Sequence, residues 1–536
     1  MSRFTWKRSR RAIAFAGACA LAPIACLLGF LAYQGYPVVT PESLIAMVVV
    51  GSAAACVALL AYGLGVMARV LFMATLVTLL LDYLVQWQAH GIHGRVAIPV
   101  SFLLALMLTW AARNQLTPIF GTAFAAVALS TVLVPVWEPT AQPAQKASIP
   151  SAPDSRLPVY VHLVLDAHIG TAGLPSEIEG AAKLREEIVG DLVGHGFRVY
   201  ERAFSRHPST RASVSAILNL EDPPHPNTHV RVGLSGRIIA TDNDLFAALM
   251  KRGYRIEVVQ PDGYDWCSAR EALVERCDVY PYQTLRWLNS AGLGVRDASR
   301  VILAAFLHGS TIWFNAVEAY SVDLREVAPW LPRLSEGVFT YAGINALEAL
   351  ASLPARIERL PRGSALFAHI LLPHAPHIFD ESCDMRRDID DWRERDQPGA
   401  GGEEKRWQAE YRRYFAQTRC VHRYLDRIVK IIDANPRLRD AVIVFHGDHG
   451  SRIPRPAQPT GSGRSPLIDG LSALFAVRAP GVIPGPDNVE QGLDRLFGSK
   501  VLPALGITPP PTRDGREIFH SSATGSVPTA NPMPDI

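Results

Sequence analysis

Five long apolar stretches dominate the first quarter of the chain. They lie at residues 12–33, 43–65, 69–86, 97–112 and 117–137. Each is close to the ~20 residues that a helix needs to cross the hydrocarbon core of a bilayer. A cleaved signal peptide would have a single short apolar core, whereas here the hydrophobicity recurs. The pattern therefore predicts a five-helix transmembrane bundle over residues 1–137.

A different pattern begins after Trp137. Residues 138–156 are rich in Pro, Ala and Ser without periodicity, which is typical of a linker. From 157 to 536, short apolar runs alternate with long amphipathic segments such as 403–433. The clearest predicted strands lie at 159–166, 254–260, 365–372 and 441–448. Such runs, separated by helices, predict an α/β domain with a mainly parallel sheet sandwiched by helices.

Charge is distributed unevenly along the chain. The 536 residues carry a formal net charge of +3, and most charged residues lie beyond position 138. Earlier basic residues cluster in the tail from Arg3 to Arg11 and recur at Arg69 and Arg113. Because Lys and Arg favour the cytoplasmic side, five spans place residues 157–536 in the periplasm or outside the cell. We expect a multi-pass protein of the cytoplasmic (inner) membrane, with the lipid bilayer as a partner and no nucleic-acid partner.

Polar side chains follow the ends of several predicted strands. Asp166 follows the first strand, His374 follows the strand at 365–372, and Asp448 and His449 follow the strand at 441–448. In open α/β sheets, ligands bind outside the carboxyl ends of the strands. An isolated Asp-His pair or loop histidine is often structural. The prediction of a site therefore depends on these residues occurring together at the ends of several strands.

Two hydroxyl residues, Ser209 and Thr210, stand where a helix is predicted to begin in "SRHPSTRASVSAILNL", residues 205–220. A helix start offers free N–H groups and a partial positive charge, so a hydroxyl there is placed to receive a phosphate. Thr210 is the predicted nucleophile. The alternatives are that Thr210 is a helix cap, or that Ser209 is the cap or the nucleophile.

A metal site is predicted from the same residues. Asp166, Thr210, Asp448 and His449 together offer oxygen ligands and one imidazole. That set suits Zn²⁺ or Mn²⁺ and, less well, Mg²⁺. A cation touching Thr210 would lower the pKa of its hydroxyl and neutralise a phosphoryl oxygen. We therefore expect one divalent metal ion.

Four short motifs resemble those of a known family: "HLVLDAHIG", "STRASVSAILN", "LLPHAP" and "GDHG". They are similar to motifs of the alkaline phosphatase and sulfatase superfamily, especially its membrane-anchored phosphoethanolamine transferases and lipoteichoic acid synthases. The resemblance implies five transmembrane helices followed by an extracytoplasmic sulfatase-like domain. It also implies Asp166, Asp448 and His449 as metal ligands, Thr210 as nucleophile, and His374 as the residue that meets the substrate phosphate.

The chain departs from the family pattern at three places. "HPSTRAS" lacks the Cys-x-Pro-Ser-Arg order that true sulfatases convert to formylglycine, which disfavours sulfate ester hydrolysis by that route. No histidine lies between Ser451 and Phe519, so a second metal site is not expected. Ala167 follows Asp166, so a single carboxylate is available at the first ligand position.

Two weaker candidates for substrate binding lie beside the Asp-His pair. Arg452 is either a phosphate clamp or a solvated charge after a glycine turn. His446, two residues before Asp448, points to the same side of the strand. It is either a residue that supports the site or a buried structural histidine.

The seven cysteines divide between the two halves of the chain. Cys19, Cys26 and Cys56 lie in apolar stretches and are expected to pack as small hydrophobes. The other four lie in the predicted exported domain, where an oxidising compartment would pair an even number. Our hypothesis pairs Cys267 with Cys277 and Cys383 with Cys420.

The predicted function is metal-dependent transfer of a phospholipid-headgroup phosphoryl ester, of the phosphoethanolamine or phosphoglycerol type, to an envelope acceptor. Thr210 would carry a phosphothreonine intermediate, with the metal and His374 stabilising the charge on the transferring group. A phospholipid or an envelope glycan is the expected substrate. One alternative is a sulfatase-like phosphodiesterase or sulfuric ester hydrolase that releases product to water. The other is a catalytically silent envelope binding or assembly protein.

Overall fold

The computed structural model describes residues 3–85, 94–133, 154–220, 229–233, 237–269, 274–281, 285–289, 292–308, 342–387, 402–453 and 468–509. The chain forms two compact units. Unit 1 comprises Met1–Thr140 and Gln283–Tyr341, and unit 2 comprises Ala141–Tyr282 and Ala342–Ile536. The predicted linker, 138–156, lies largely outside the described residues.

The helices are numbered in chain order. They are α1 (Arg3–Tyr33), α2 (Pro41–Leu64), α3 (Val66–Val85), α4 (Gly94–Ala111), α5 (Leu116–Leu133), α6 (Ala181–Gly194), α7 (Thr210–Leu218), α8 (Asp244–Arg252), α9 (Val295–His308), α10 (Ala342–Arg359), α11 (Gly402–Ala434), α12 (Ile468–Leu471), α13 (Leu493–Leu496) and α14 (Leu502–Ala504). The long amphipathic segment at 403–433 forms α11, as predicted.

Unit 1 contains the apolar helices α1 to α5, which suggest insertion into a membrane. Among the described residues, three helices are long and apolar enough to cross a bilayer, and they lie in α1, α2 and α3. The apolar parts of α4 and α5, Val96–Ala111 and Leu116–Thr131, are shorter than 18 residues. The prediction of five spans is therefore wrong for the described residues, because the apolar parts of α4 and α5 are shorter than the length that a bilayer-spanning helix needs.

The chain returns to unit 1 after the first part of unit 2. Helix α9 packs on the apolar helices, where the Phe306 ring lies 5.7 Å from Phe30 and stacks on Tyr83 at 4.9 Å. The sequence assigned all of 157–536 to one domain, whereas Gln283–Tyr341 groups with the N-terminal helices. The physical reason is that the apolar face of α9 is buried against α1, α2 and α3.

Unit 2 is built on a large sheet. The strands are β1 (Tyr160–Leu165), β2 (Arg198–Tyr200), β3 (Ala203–Phe204), β4 (Val230–Val232), β5 (Ile238–Ala240), β6 (Arg255–Pro261), β7 (Tyr264–Asp265), β8 (Val274–Tyr280), β9 (Ser364–Ile370), β10 (Val442–Gly447), β11 (Phe475–Arg478), β12 (Gly485–Asp487) and β13 (Gln491–Gly492). The 8-stranded sheet has the order β12-β2-β11-β10-β1-β9-β6-β8. Two small sheets, β13-β3 and β4-β5-β7, accompany it.

The large sheet is mainly parallel, as predicted. Only β11, among its described strands, runs antiparallel to its neighbours β10 and β2. Every residue of β1 is buried, which shows that both faces of the sheet are covered at its centre. On one face the core includes Val164 of β1, Val214 and Ile217 of α7, and Phe246 of α8. The α/β architecture with a helix-covered sheet is therefore confirmed.

The register of the central strands brings three strand ends level. Leu165 of β1 pairs with Gly447 of β10 on one side and with Ile370 of β9 on the other. Because parallel strands share the edge at which their carboxyl ends lie, Asp166 and Asp448 follow at neighbouring positions. This edge carries the candidate site.

Two disulfides lie within unit 2. They join Cys267 to Cys277 and Cys383 to Cys420, the two pairings that we expected from the sequence. Cys19, Cys26 and Cys56 are free thiols in α1 and α2.

Candidate metal centre and nucleophile

Four of the predicted site residues converge at the carboxyl edge of β1 and β10. The Thr210 hydroxyl donates to Asp166 Oδ2 at 3.2 Å and lies 3.3 Å from His449 Nε2. His449 Nε2 lies 3.6 Å from Asp166 Oδ1 and 3.3 Å from Asp448 Oδ2. All four side chains are buried. Residues far apart in sequence thus surround one point.

The two glycines of "GDHG" allow the loop after β10 to pass close to other backbone segments. A Cβ on Gly447 would lie 2.1 Å from the carbonyl oxygen of His168, and one on Gly450 would lie 2.2 Å from that of Asp469. No side chain fits at either position without displacing backbone. Glycine at both positions therefore lets the turn that holds Asp448 and His449 pack against these segments.

Asp448 is oriented by its own backbone surroundings. Its Oδ1 accepts hydrogen bonds from the backbone N–H groups of Ala167 and His449, each at 2.9 Å. Ala167 has a φ of 61°, a left-handed conformation that a non-glycine residue seldom adopts. With Oδ1 occupied, Oδ2 is the oxygen that faces His449.

The tautomer of His449 follows from a single hydrogen bond. Its Nδ1 lies 2.8 Å from the carbonyl oxygen of Gly450, which can only accept, so Nδ1 carries the proton. In the neutral ring, Nε2 then presents a lone pair to Asp448 Oδ2. Two acceptors facing each other at 3.3 Å repel unless a metal ion or a proton lies between them.

The donor set fits a divalent cation. Asp166 Oδ1 and Asp448 Oδ2 are buried and have no hydrogen-bond partner among the described residues. Asp166, His369 and Asp448 each offer a ligand atom, and these atoms lie within 4.8 Å of one another. Buried carboxylate oxygens without partners are costly, and a metal ion would compensate that cost.

The pKa of Asp166 is set by opposing effects. Burial raises it, but interactions with the nearby imidazoles of His374 and His369 lower it by a larger amount, so the net shift is downward. Asp166 is therefore a carboxylate at neutral pH. A carboxylate is the form that binds a cation and accepts a proton from Thr210.

Helix α7 begins at the candidate nucleophile. Ser209 is the N-cap residue, with an extended backbone and no hydrogen bond from its side chain to the helix. Thr210 is the first helical residue, and one turn later the Ser213 hydroxyl donates to the backbone carbonyl of Asp448. This contact ties the helix to the Asp-His loop and holds Thr210 beside it.

His374 and Arg452 form a pair. Arg452 donates from Nη2 to His374 Nε2 at 2.8 Å, while His374 Nδ1 lies 2.6 Å from the carbonyl oxygen of Ala375. Burial is the main cause that lowers the pKa of His374, and the charge of Arg452 adds to it. A neutral His374 has no N–H left for a phosphate, so the guanidinium is the group here that can stabilise negative charge.

His446 does not face the site. Its Nε2 lies 2.8 Å from Nε2 of His162, and its Nδ1 lies 2.8 Å from the carbonyl oxygen of Gly447. The ring also packs edge-on against Phe497 at 5.3 Å. Both nitrogens have partners and the side chain is fully buried, so the geometry favours the structural alternative over substrate binding.

The sequence did not indicate Tyr264 and Trp266. Tyr264 stacks on Trp266 at 5.2 Å and meets His369 edge-on at 5.1 Å. Burial and the charge of Asp166 raise the pKa of the Tyr264 phenol, and a hydrogen bond with Thr210 partly offsets this. Both residues come shortly after the predicted strand at 254–260. Because ligands bind outside the carboxyl ends of strands, the end of this strand was also a place to look for site residues.

Comparison with known proteins gives distant likenesses. No protein-family model matches the chain, and no curated protein matches it. The structure is similar to the phosphonate monoester hydrolase of Agrobacterium radiobacter, at 15% sequence identity, over 66% of this chain and 74% of that chain, with a TM-score of 0.40. It is also similar to the C-terminal periplasmic domain of EcEptC from Escherichia coli in complex with Zn, at 10% identity, over 65% of this chain and 82% of that chain, with a TM-score of 0.38.

A third likeness is to the phosphonate monoester hydrolase SpPMH from Silicibacter pomeroyi, at 15% identity, over 69% of this chain and 78% of that chain, with a TM-score of 0.38. Likenesses at this level are too weak to assign an activity. The function has to be inferred from the residues of the site.

Proposed function

We propose that this protein is a membrane-anchored, metal-dependent phosphotransferase that moves a phospholipid-headgroup phosphoryl ester to an envelope acceptor through a phosphothreonine at Thr210. One observation carries the proposal. The Thr210 hydroxyl, at the start of a helix, lies within hydrogen-bond distance of both Asp166 and His449. A hydroxyl so placed at a helix N-terminus can receive a phosphoryl group.

Asp166, Asp448, His449 and Thr210 would hold a single divalent ion, with Zn²⁺ or Mn²⁺ preferred by this mixture of oxygens and imidazole. When bound, the ion would lower the pKa of the Thr210 hydroxyl and offset the charge of the phosphoryl oxygens. The unpartnered oxygens of Asp166 and Asp448 are the atoms available for it.

In the first step, Thr210 Oγ1 attacks the phosphorus of the lipid phosphodiester. The Oγ1–P bond forms and the bond from phosphorus to the lipid glycerol oxygen breaks. Asp166 Oδ2, which already accepts the hydrogen bond of Thr210, takes the hydroxyl proton. Asp166 then passes this proton to the leaving diacylglycerol oxygen, so the proton balance of the step is zero.

In the second step, an acceptor hydroxyl attacks the same phosphorus, so that the bond from phosphorus to the acceptor oxygen forms and the Thr210 Oγ1–P bond breaks. The proton that the acceptor loses is returned to Thr210 Oγ1, which regenerates the residue. Arg452 would donate to the phosphoryl oxygens, which it can do once it exchanges His374 Nε2 for the substrate. That exchange frees the lone pair of His374, whose lowered pKa keeps it neutral near pH 7. We assign His374 as the base that deprotonates the acceptor hydroxyl.

A lipid donor is consistent with the apolar helices of unit 1. Among the described residues, three helices are long enough to span, and an odd number would place the chain after α3 on the opposite side from the N-terminus. With the basic tail in the cytoplasm, unit 2 is extracytoplasmic. Tethering the catalytic unit to the bilayer raises the effective concentration of a lipid substrate.

The test uses the full chain in detergent with phosphatidylethanolamine or phosphatidylglycerol labelled in the headgroup. We expect Thr210→Ala to lower turnover on the order of 10³-fold or more, as loss of a nucleophile does. Thr418→Ala is the matched control, because Thr418 is equally buried and its hydroxyl donates within α11 to the carbonyl of Tyr414.

The products separate the transferase from its alternatives. Label on an acceptor indicates transfer, and free headgroup phosphate indicates a hydrolase. A chain that neither consumes the lipid nor retains stoichiometric metal would be a binding protein. Parental turnover by Thr210→Ala would contradict the mechanism.

A further inference from the structure

The two ring nitrogens of His369, in β9, have different hydrogen-bonding roles. The indole N–H of Trp266 lies 3.3 Å from His369 Nδ1. An indole nitrogen can only donate, so Nδ1 must accept with its lone pair. The neutral imidazole has one proton, which therefore lies on Nε2.

The protonated nitrogen faces the candidate metal centre. His369 Nε2 lies 3.4 Å from Asp166 Oδ2. A nitrogen that carries a proton has no lone pair for a metal ion, but it can donate to a carboxylate. Proximity alone groups His369 with Asp166 and Asp448 as a ligand set, and the Trp266 contact argues against that role.

His449 has the opposite arrangement on the same carboxylate. Its Nδ1–H is taken by the Gly450 carbonyl, and its Nε2 lone pair points inward. Asp166 is thus approached by a lone pair from His449 at Oδ1 and by an N–H from His369 at Oδ2. The Thr210 hydroxyl also donates to Oδ2, which leaves Oδ1 as the oxygen for a cation.

Trp266 is held firmly enough to impose a tautomer. It is fully buried, its backbone N–H donates to Gln260 Oε1 at 2.8 Å, and its ring stacks on Tyr264. The next residue, Cys267, is covalently joined to Cys277 of β8. The indole N–H is therefore fixed in position before any substrate binds.

We propose that His369 is a hydrogen-bond donor that orients Asp166, not a metal ligand, and that Trp266 is the positioning residue that dictates this tautomer. The inference deepens the proposed function and rests on it only for the presence of a cation at Asp166. Partners of this kind fix the orientation of a ligating carboxylate, and their loss typically lowers affinity or activity 10- to 100-fold.

Metal affinity separates a donor from a ligand. The full chain in detergent is titrated with Zn²⁺ against a chelator, comparing His369→Gln with His449→Gln. We expect His449→Gln to weaken Zn²⁺ binding by about 100-fold or more and His369→Gln by less than about 10-fold, because the glutamine amide still donates to Asp166. Equal losses in the two variants would overturn the inference.

Turnover supplies a second comparison. His369→Ala removes the donor, so its kcat should fall about 10- to 100-fold below that of His369→Gln while KM changes little. Rescue by glutamine is not expected of a residue that only packs. Equal kcat values for the alanine and glutamine variants would contradict the donor role.

The tautomer itself is read by NMR of ¹⁵N-histidine-labelled full chain. The parental His369 should carry its proton on Nε2, and Trp266→Phe, which keeps a ring but loses the N–H, should shift the proton toward Nδ1. Trp287→Phe, a buried indole of unit 1, is the control and should leave His369 unchanged. A parental ring protonated on Nδ1 overturns the inference, even if the chain binds no Zn²⁺ and the proposed function fails.

Discussion

Gly450 shows how one residue without a side chain controls the direction of its neighbours. Its backbone N–H donates to the carbonyl of Gly470, and a Cβ at this position would meet the carbonyl oxygen of Asp469 at 2.2 Å. The carbonyl oxygen of Gly450 itself accepts a hydrogen bond from His449 Nδ1, which fixes the tautomer of that ring. Packing and ligand chemistry therefore depend on the same few backbone atoms.

Gly450→Ala should therefore impair both stability and metal binding. Overpacking of this kind costs about 1–3 kcal/mol. The control is Gly190→Ala in the interior of α6, where an added Cβ meets nothing within 4 Å. That variant should be more stable by about 1 kcal/mol, because alanine is a better helix former. Unfolding midpoints and Zn²⁺ titration of both variants check this, and a Gly450→Ala chain that matches Gly190→Ala in both would contradict the account.

At the scale of single residues, Asp166, Asp448 and His449 could be predicted because each directly follows an apolar run that is recognisable as a strand, and ligands bind at the carboxyl ends of strands. The role of His369 could not be predicted, since it depends on a hydrogen bond from Trp266, 103 residues away. The tautomer of a histidine is decided by three-dimensional contacts, which hydrophobic patterning does not encode.

Strands β1 and β10 share a buried histidine pair. His162 Nε2 lies 2.8 Å from His446 Nε2, and the His162 ring packs against Phe367 and Phe497 at 5.0 Å each. Burial, together with His446, holds the pKa of His162 well below its ordinary value of 6.5. The pair is thus neutral in the folded chain and charged in the unfolded chain at mildly acidic pH.

Unit 2 should therefore lose stability as the pH falls below about 6.5. There the unfolded His162 binds a proton that the folded one does not, so stability is fully present above pH 6.5 and declines by ~1.4 kcal/mol per pH unit. At pH 5 the loss from this residue is roughly 2 kcal/mol. Unfolding midpoints of the parental chain and His162→Gln at pH 7.5, 6 and 5 measure it. Equal pH dependence in both would show that His162 does not titrate in this way.

At the scale of elements, the four clearest strands and the long helix α11 were predictable, because their apolar patterns are long and regular. The number of membrane-spanning helices was not, since the hydrophobic pattern did not show that the described apolar parts of α4 and α5 are shorter than a span needs. The return of α9 to unit 1 was also hidden, because an amphipathic pattern shows that a face must be buried without showing against which partner.

For the whole molecule, the disulfides report on compartment. Cys267–Cys277 and Cys383–Cys420 both lie in unit 2, while the three free thiols lie in α1 and α2 of unit 1. Disulfides persist in oxidising compartments and are rare in the cytosol. An extracytoplasmic unit 2 and a membrane-embedded unit 1 would produce this division.

Mass spectrometry of non-reduced peptides from native membranes should accordingly find both pairs linked and Cys19, Cys26 and Cys56 free. Reduction should lower the stability of unit 2 by about 2–4 kcal/mol for each bond. The matched control is the chain produced without export, in which the four cysteines of unit 2 should be free. Four free thiols in the native membrane protein would contradict an extracytoplasmic unit 2.

The central claim is that Thr210 becomes covalently phosphorylated. The most direct measurement is acid-quenched peptide mass spectrometry of the full chain after brief incubation with Zn²⁺ and phosphatidylethanolamine or phosphatidylglycerol. The account predicts a phosphoethanolamine or phosphoglycerol adduct on Thr210 in the parental and Thr418→Ala chains and none in Thr210→Ala. Turnover with Thr210 unmodified at every quench time, or an adduct on Ser209 in its place, would contradict it.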